Sequence, residues 1–398
     1  MKIKLIEYKN EVEAELKRIL HYWMKYAIDE DNGGFFGKIN HNNEIDFSAA
    51  KGVVLHARIL WTFSAAYRLT NNTDYLLIAK DAYNFLNQFF SDKVYGGFYW
   101  TVNNKGISSD QKKHVYAQAF VLYAYCEFYK ITDWEEVLVK AKSIFSLLEE
   151  KSFDTINGGY KEAFTRDWQL MQDARLSEKD RNDVKSANTH LHLLEAYSNL
   201  YIIWEDATVK KQIENLLSNF SNHIIHPYTK HLQLFFDENW NCTSNLISYG
   251  HDIEASWLLV NAATVINDNS LMNIFSLVAN ELATAAATGL DNDGGMWYEC
   301  NENITIKQKH WWPQAEAMIG FFNQWQLTKE ENALEQSINS WNFIKKHIID
   351  HKKGEWLWGV YEDDTAMLHE DKVGLWKCPY HNSRACMEIS NRINLIIQ

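Results

Sequence analysis

Proline is scarce, with 3 among 398 residues, and the five cysteines include no Cys-x-x-Cys pair. The first shortage excludes long proline-rich linkers. The second leaves Cys126, Cys242, Cys300, Cys378 and Cys386 scattered and odd in number, which reads as reduced thiols rather than a disulfide framework. Positive charge is also short: 39 Lys and Arg face 52 Asp and Glu, for a net charge of −13. That excludes a basic nucleic-acid face. No uninterrupted apolar run is long enough to span a membrane. The N-terminus M-K-I-K-L-I-E-Y-K-N-E is too charged for a signal-peptide core, so a cytoplasmic location is expected. Also missing are H-E-x-x-H, G-x-S-x-G and a glycine-rich phosphate loop between strand and helix. Their absence argues against metalloprotease, serine-hydrolase and nucleotide chemistry.

What is abundant is apolar and aromatic. Hydrophobic residues make up 46%, enough for a large core, and tryptophan occurs 16 times. Rings in such number fill a helical core or line a sugar cleft, because indole faces stack on the C–H faces of pyranoses. Composition alone favours the core.

One motif recurs. N-G-G-F-F-G begins at Asn32, Y-G-G-F-Y-W at Tyr95, N-G-G-Y-K-E at Asn157 and D-G-G-M-W-Y at Asp293. A degenerate copy, K-G-E-W-L-W, begins at Lys353, and H-L-Q-L-F-F-D at His231 has lost its glycines. The step is roughly sixty residues, which marks one supersecondary unit stacked repeatedly. Paired glycines before aromatics predict a tight turn leading into a short strand. Each motif is followed by a helical segment that is apolar nearly all round, starting near Lys51, His114, Asn188, His251, Trp311 and Pro379. Amphipathic helices alternate with these, as from Tyr8 and Asp74.

Six buried and six amphipathic helices predict an all-α, closed (α/α)6 barrel, with short hairpins at the repeat turns and residues 1–398 as a single domain. An open solenoid would need polar caps on its terminal helices. The last helix here carries polar chemistry instead. The longest insertions, from Thr165 and from Tyr361, both precede inner helices and predict a lid or rim over one mouth.

The starts of the inner helices are not what a bundle core needs. They carry Arg58, His114, Tyr116, Asn188, His192, His251, Glu254, Trp311, Trp312, Glu316, His381 and Arg384. Asn188 and His192, His251 and Glu254, Trp312 and Glu316, and His381 and Arg384 are spaced to share a helix face. Unpaired buried charge costs several kcal/mol, so a polar set converging in an aromatic cup is a site candidate. Each residue also has a plainer role. Arg58 could pair with an inner Glu, His114 could bond backbone, and Trp311 and Trp312 could fill the barrel. His190-x-His192 and His251-x-x-Glu254 are conceivable ligand pairs, but strong metal spacings are missing and no metal is expected. A glycosidase pair could come from Glu254, Glu316, Asp180 or Asp183. Histidines suit proton transfer near neutrality better. Two of them across an opened sugar could remove a proton α to the carbonyl and return it to the other face. Arg58 and the Asn188–His192 pair would then stabilise the enediolate.

K-G-V-V-L-H-A-R-I-L-W, S-Y-G-H-D-I-E-A-S-W-L, W-W-P-Q-A-E-A and W-K-C-P-Y-H-N-S-R-A-C-M-E together resemble the cellobiose 2-epimerases of the N-acylglucosamine 2-epimerase superfamily. The similarity runs along nearly the whole chain. It implies an (α/α)6 barrel and epimerisation at C2 of the reducing-end sugar of β-1,4-linked disaccharides, without metal or nucleotide. By the same resemblance, His251 and His381 are the acid/base pair and Arg58 stabilises the enediolate. Asn188 and His192 contact sugar and intermediate, and His190 falls outside that pattern. Tyr116 and Glu254 match binding positions, with Glu254 either contacting substrate or holding the His251 imidazole. Trp311, Trp312 and Trp376 match sugar-stacking residues. The loop 165–186 would shape the second-sugar subsite. The expected partner is a small oligosaccharide, with no nucleic acid and no membrane, and a monomer is expected.

Three other readings remain open from the residues. A monosaccharide 2-epimerase or aldose–ketose isomerase would use the same enediolate. An (α/α)6 glycoside hydrolase would depend on carboxylates rather than histidines. A non-catalytic sugar-binding barrel would bind without C2 exchange.

Overall fold

The computed structural model describes residues 2–175 and 181–397. Twelve helices alternate between two concentric rings among these residues. The outer ring holds α1 (Lys2–Tyr26), α3 (Thr73–Phe85), α5 (Glu135–Lys151), α7 (Ala207–Asn219), α9 (Asn269–Ala286) and α11 (Glu331–Phe343). The inner ring holds α2 (Val53–Thr70), α4 (Val115–Thr132), α6 (Ala187–Ile203), α8 (Tyr249–Val265), α10 (Trp311–Thr328) and α12 (Tyr380–Ile397). Sequence pattern decides the ring. In α1 the buried residues form a stripe that includes Leu5, Val12, Leu16, Ile19 and Trp23, so one face meets solvent. In α2 every residue from Val53 to Ala66 is buried, which only an inner position allows. Each inner helix packs against the next, and α12 packs against both α2 and α1. The ring is therefore closed, as the repeat pattern predicts.

The glycine motifs are the hinges of the rim. Short lead-in strands precede the inner helices and pair antiparallel with the strand of the following repeat. Lys51–Gly52 meets Thr101–Val102, Lys113–His114 meets Ala163–Phe164, Lys185–Ser186 meets Phe235–Phe236, Ile247–Ser248 meets Glu299–Asn301, and Lys309–His310 meets Gly359–Val360. A bridge from Ile39 to Val373 closes the sixth link. This stitching holds all inner-helix N-termini at one mouth.

Five of the turns are also stapled to an inner helix. The amide N–H after the glycine pair, or after His231 in the repeat without glycines, donates to His56 (from Phe35, 3.2 Å), Gln118 (Phe98, 2.8 Å), His190 (Tyr160, 2.9 Å), Asp252 (Leu232, 2.7 Å) or Gln314 (Met296, 2.7 Å). Glycine is required at the approach. A Cβ on Gly159, at φ 74°, would stand 2.7 Å from His190 Nε2 and 2.3 Å from Trp240. Five residues before four of these staples, and before Asn382, a buried lysine pairs with a carboxylate. The pairs are Lys51–Asp29, Lys113–Asp92, Lys185–Asp154, Lys309–Asp293 and Lys377–Glu355. In the fourth repeat the two positions are Ile247 and His226, so cation and anion are replaced together. That is what the cost of an unpaired buried charge demands. In that repeat Lys230 takes the left-handed conformation, at φ 64°, where the other turns use glycine.

Candidate active site

A cavity of about 680 Å³ opens at the mouth. Its wall includes Arg58 of α2, Tyr116 of α4, Asn188 and His192 of α6, His251 and Glu254 of α8, Trp311 and Trp312 of α10, and His381 of α12, with Trp376 just before α12. All ten residues to which the family resemblance gives a site role therefore share one space, whereas His114, Glu316 and Arg384 do not line it. Each comes from the first two turns of an inner helix or its lead-in, because the rim strands bring those turns together.

Three imidazoles are held the same way, through Nδ1. His381 Nδ1 lies 2.7 Å from Glu316 Oε1, His192 Nδ1 lies 3.1 Å from Glu195 Oε2, and His251 Nδ1 lies 2.8 Å from Ser248 Oγ. In each ring Nε2 is left as the second nitrogen. Contacts this short need a proton between the two atoms. His251 and His381 both pack on Trp312, with ring centroids 4.8 and 5.7 Å from the indole. The shared indole caps the separation of the two imidazoles. His251 is half-buried on the cavity wall, and loss of bulk water, with His192 nearby, pushes it down to about 3. Burial and the guanidinium groups of Arg58 and Arg384 hold His381 well below the ordinary histidine range.

Two buried arginines behave differently. Arg384 donates to Glu195, to Glu254 (2.6 Å) and to Glu316 (2.7 Å). It is thus the common partner of the carboxylates behind His192 and His381. Burial alone would raise Glu195, but Arg384 and His192 overrule it and hold it at about 2. Glu254 is raised by burial and by repulsion from Glu316. Glu316 is raised by burial, against the pull of Arg384. Three carboxylates thus share one guanidinium. Arg58 has no carboxylate partner among the described residues. Its guanidinium stacks 4.2 Å over Phe120 and 5.0 Å over Tyr380, and Nη2 donates to Tyr116 at 2.7 Å. An unneutralised cation on the wall suits a developing oxyanion. Asn188 Oδ1, also on this wall, has no protein partner among the described residues.

Glu254, Glu316 and His381 offer ligand atoms within 4.8 Å of one another. Arg384 already bonds both carboxylates, and Glu316 bonds His381. A cation there would compete with a guanidinium in place.

Some expectations change. Glu254 does not hold the His251 imidazole; Ser248 does, because the Glu254 carboxylate turns to Arg384. His190 is a staple, with Nδ1 on the Ser186 carbonyl and Nε2 receiving the Tyr160 N–H. His114 bonds the Ala174 carbonyl at 3.2 Å, which ties the 165–186 segment to α4. From that segment Ala174, Arg181 and Asp183 reach the cavity wall. Asp183 pairs with Arg181 and accepts from Thr243. Asp180 lies outside the described residues. Trp311 is buried, 4.4 Å from Trp358, whereas Trp312 contacts both His251 and His381. The sequence reading missed Ser248, Glu195, Trp358, Tyr298 and His310. Glu195 stands one turn past His192, the same signal that flagged Glu254. Trp358 lies inside the degenerate glycine motif. Tyr298 and His310, stacked at 4.0 Å, come from the rim, where no helical spacing points to them.

Fold and cavity define the class: a closed (α/α)6 barrel with a histidine-, arginine- and tryptophan-lined cavity at the N-terminal ends of its inner helices. The chain belongs to the N-acylglucosamine 2-epimerase family, whose sequence model matches residues 34–385. It is 45% identical over 386 residues to a cellobiose 2-epimerase of Bacteroides fragilis, covering 96% of this chain and 98% of that one. The solved cellobiose 2-epimerase of Bacillus thermoamylovorans is 39% identical with a TM-score of 0.92, covering 98% of this chain and all of the other. That of Spirochaeta thermophila is 37% identical with a TM-score of 0.94, covering 99% and 98%.

Proposed function

We propose that the chain is a carbohydrate epimerase that inverts C2 of the reducing-end sugar of a β-1,4-linked disaccharide such as cellobiose. The observation that carries this is a pair of imidazoles from α8 and α12, each anchored through Nδ1, on one indole in one cavity. The sugar opens, which makes the C2 proton acidic. One imidazole takes that proton through Nε2, and the electron pair moves into a cis-enediolate. The other imidazole, as imidazolium, protonates the opposite face. Arg58, without a carboxylate partner among the described residues, and His192, backed by Glu195, face the enediolate oxygens. Tyr116 orients Arg58, Asn188 and Glu254 take sugar hydroxyls, and Trp311, Trp312 and Trp376 stack on the rings. The chain works as one catalytic unit and needs no cofactor for these steps. No described helix is long and apolar enough to cross a membrane. We place the enzyme in the cytoplasm, as a monomer.

A hydrolase suits the site less well. Glu254 and Glu316 both bond Nη2 of Arg384, at 2.6 and 2.7 Å. Their carboxylates converge on one nitrogen instead of standing on either side of a glycosidic bond. Incubation with cellobiose, mannobiose and mannose, followed by product analysis, tests the reading. Expected is glucosyl-mannose from cellobiose with the glycosidic bond intact. Monosaccharide release, or turnover of mannose alone, would overturn it.

A further inference from the structure

Ser248 occupies the N-cap position of α8, where a serine ordinarily accepts an amide N–H of the first turn. Ser186 does this on α6, accepting from Thr189 at 3.1 Å. Ser248 makes no side-chain cap bond, although it is fully buried. Its hydroxyl is turned instead to His251 Nδ1, 2.8 Å away. The helix forgoes a cap, and the imidazole gains an anchor. For His381, the other imidazole packed on Trp312, the anchor is a carboxylate, Glu316, itself bonded by Arg384 and by the Trp257 N–H.

We infer that Ser248 is the positioning residue of His251, and that its neutral hydroxyl, opposite the Glu316 carboxylate of His381, makes the two proton-transfer bases unequal. A carboxylate stabilises the imidazolium that forms when His381 takes a proton. A hydroxyl fixes the tautomer and angle of His251 with less stabilisation of its charged form. This rests on the two-histidine reading above. The consequence is separable from it. Each base serves one epimer as proton acceptor and the other as proton donor. Weakening one anchor therefore leaves the opposite base able to remove and return a proton without inversion. Exchange then continues from one epimer only, the one whose C2 proton the intact base takes.

The test uses Ser248→Ala, Ser248→Thr and Glu316→Gln, with His251→Ala and His381→Ala as controls. Each is incubated in heavy water, starting separately from the gluco and the manno disaccharide. NMR reads deuterium at C2 of unreacted sugar against deuterium in the epimer. For Ser248→Ala we expect inversion to fall about 100-fold, KM and melting temperature to stay near wild type, and the exchange-to-inversion ratio to rise from one epimer. Ser248→Thr, which keeps the hydroxyl, restores inversion. Glu316→Gln raises the ratio from the other epimer. A structural defect would lower exchange and inversion together. The inference is overturned if both variants raise the ratio from the same epimer, or if Ser248→Ala inverts like wild type. If either single-histidine control still inverts, the two-histidine reading itself has failed.

Discussion

At the scale of single residues, a side chain's role follows from what its polar atoms have left to do. Arg58 and Arg384 are both buried, yet among the described residues Arg384 is consumed by three carboxylates and Arg58 by none. Arg58 is therefore the cation available to an enediolate. Arg58→Met is expected to lower kcat by about 10²–10³ with little change in KM, the signature of a contact strengthened in the transition state. Initial-rate kinetics on cellobiose checks this, and a loss confined to KM would assign Arg58 to ground-state binding. The polar residues of the cavity wall stood out in the sequence because charged and imidazole side chains are unusual at the start of an apolar helix, whereas Trp376 was pointed to by the family resemblance alone. Ser248 could not. A serine before a helix reads as a cap, and only its geometry reveals that the hydroxyl serves His251.

At the scale of elements, the paired glycines exposed the repeat, and their positive φ explains why the residue type persists. What stayed hidden is the staple beneath five of the turns, since His, Gln and Asp play one part at all five places. Spacing alone does not show that His56, Gln118 and His190 are equivalent. The equivalence gives a prediction. Burial holds His190 down at about 4, whereas the unfolded chain protonates near pH 6.5. Between those values the unfolded state binds more protons, so stability is lost as pH falls from about 6.5 to about 4. His190→Gln copies Gln118 and Gln314 and removes that term. Its melting temperature is expected to stay close to wild type at pH 7 and to fall less steeply toward pH 4. An unchanged slope would mean that His190 does not carry the acid sensitivity. The π-helical ends of the second, fourth and sixth outer helices, at Leu86–Phe90, Phe220–Ile224 and Ile344–Ile348, left no sequence signal. A one-residue widening of a helix does not alter its hydrophobic period enough to read.

At the scale of the whole molecule, closure turns separate helix starts into one site. Residues as distant in sequence as Arg58 and His381 share the cavity because α12 returns to pack on α2. The ring was legible from six repeats and a polar last helix. The inner wall was less so, because Tyr298, His310 and Trp358 arrive from rim strands and turns whose pairing crosses repeats. The central claim is that imidazoles of α8 and α12 act on opposite faces of one sugar carbon. Cellobiose in heavy water, followed by NMR with the wild-type chain, His251→Ala and His381→Ala, tests it most directly. The account predicts deuterium at C2 and a mannose-type anomeric signal from the wild type, and no such anomeric signal from either variant. A mannose-type product from either single-histidine variant would contradict it.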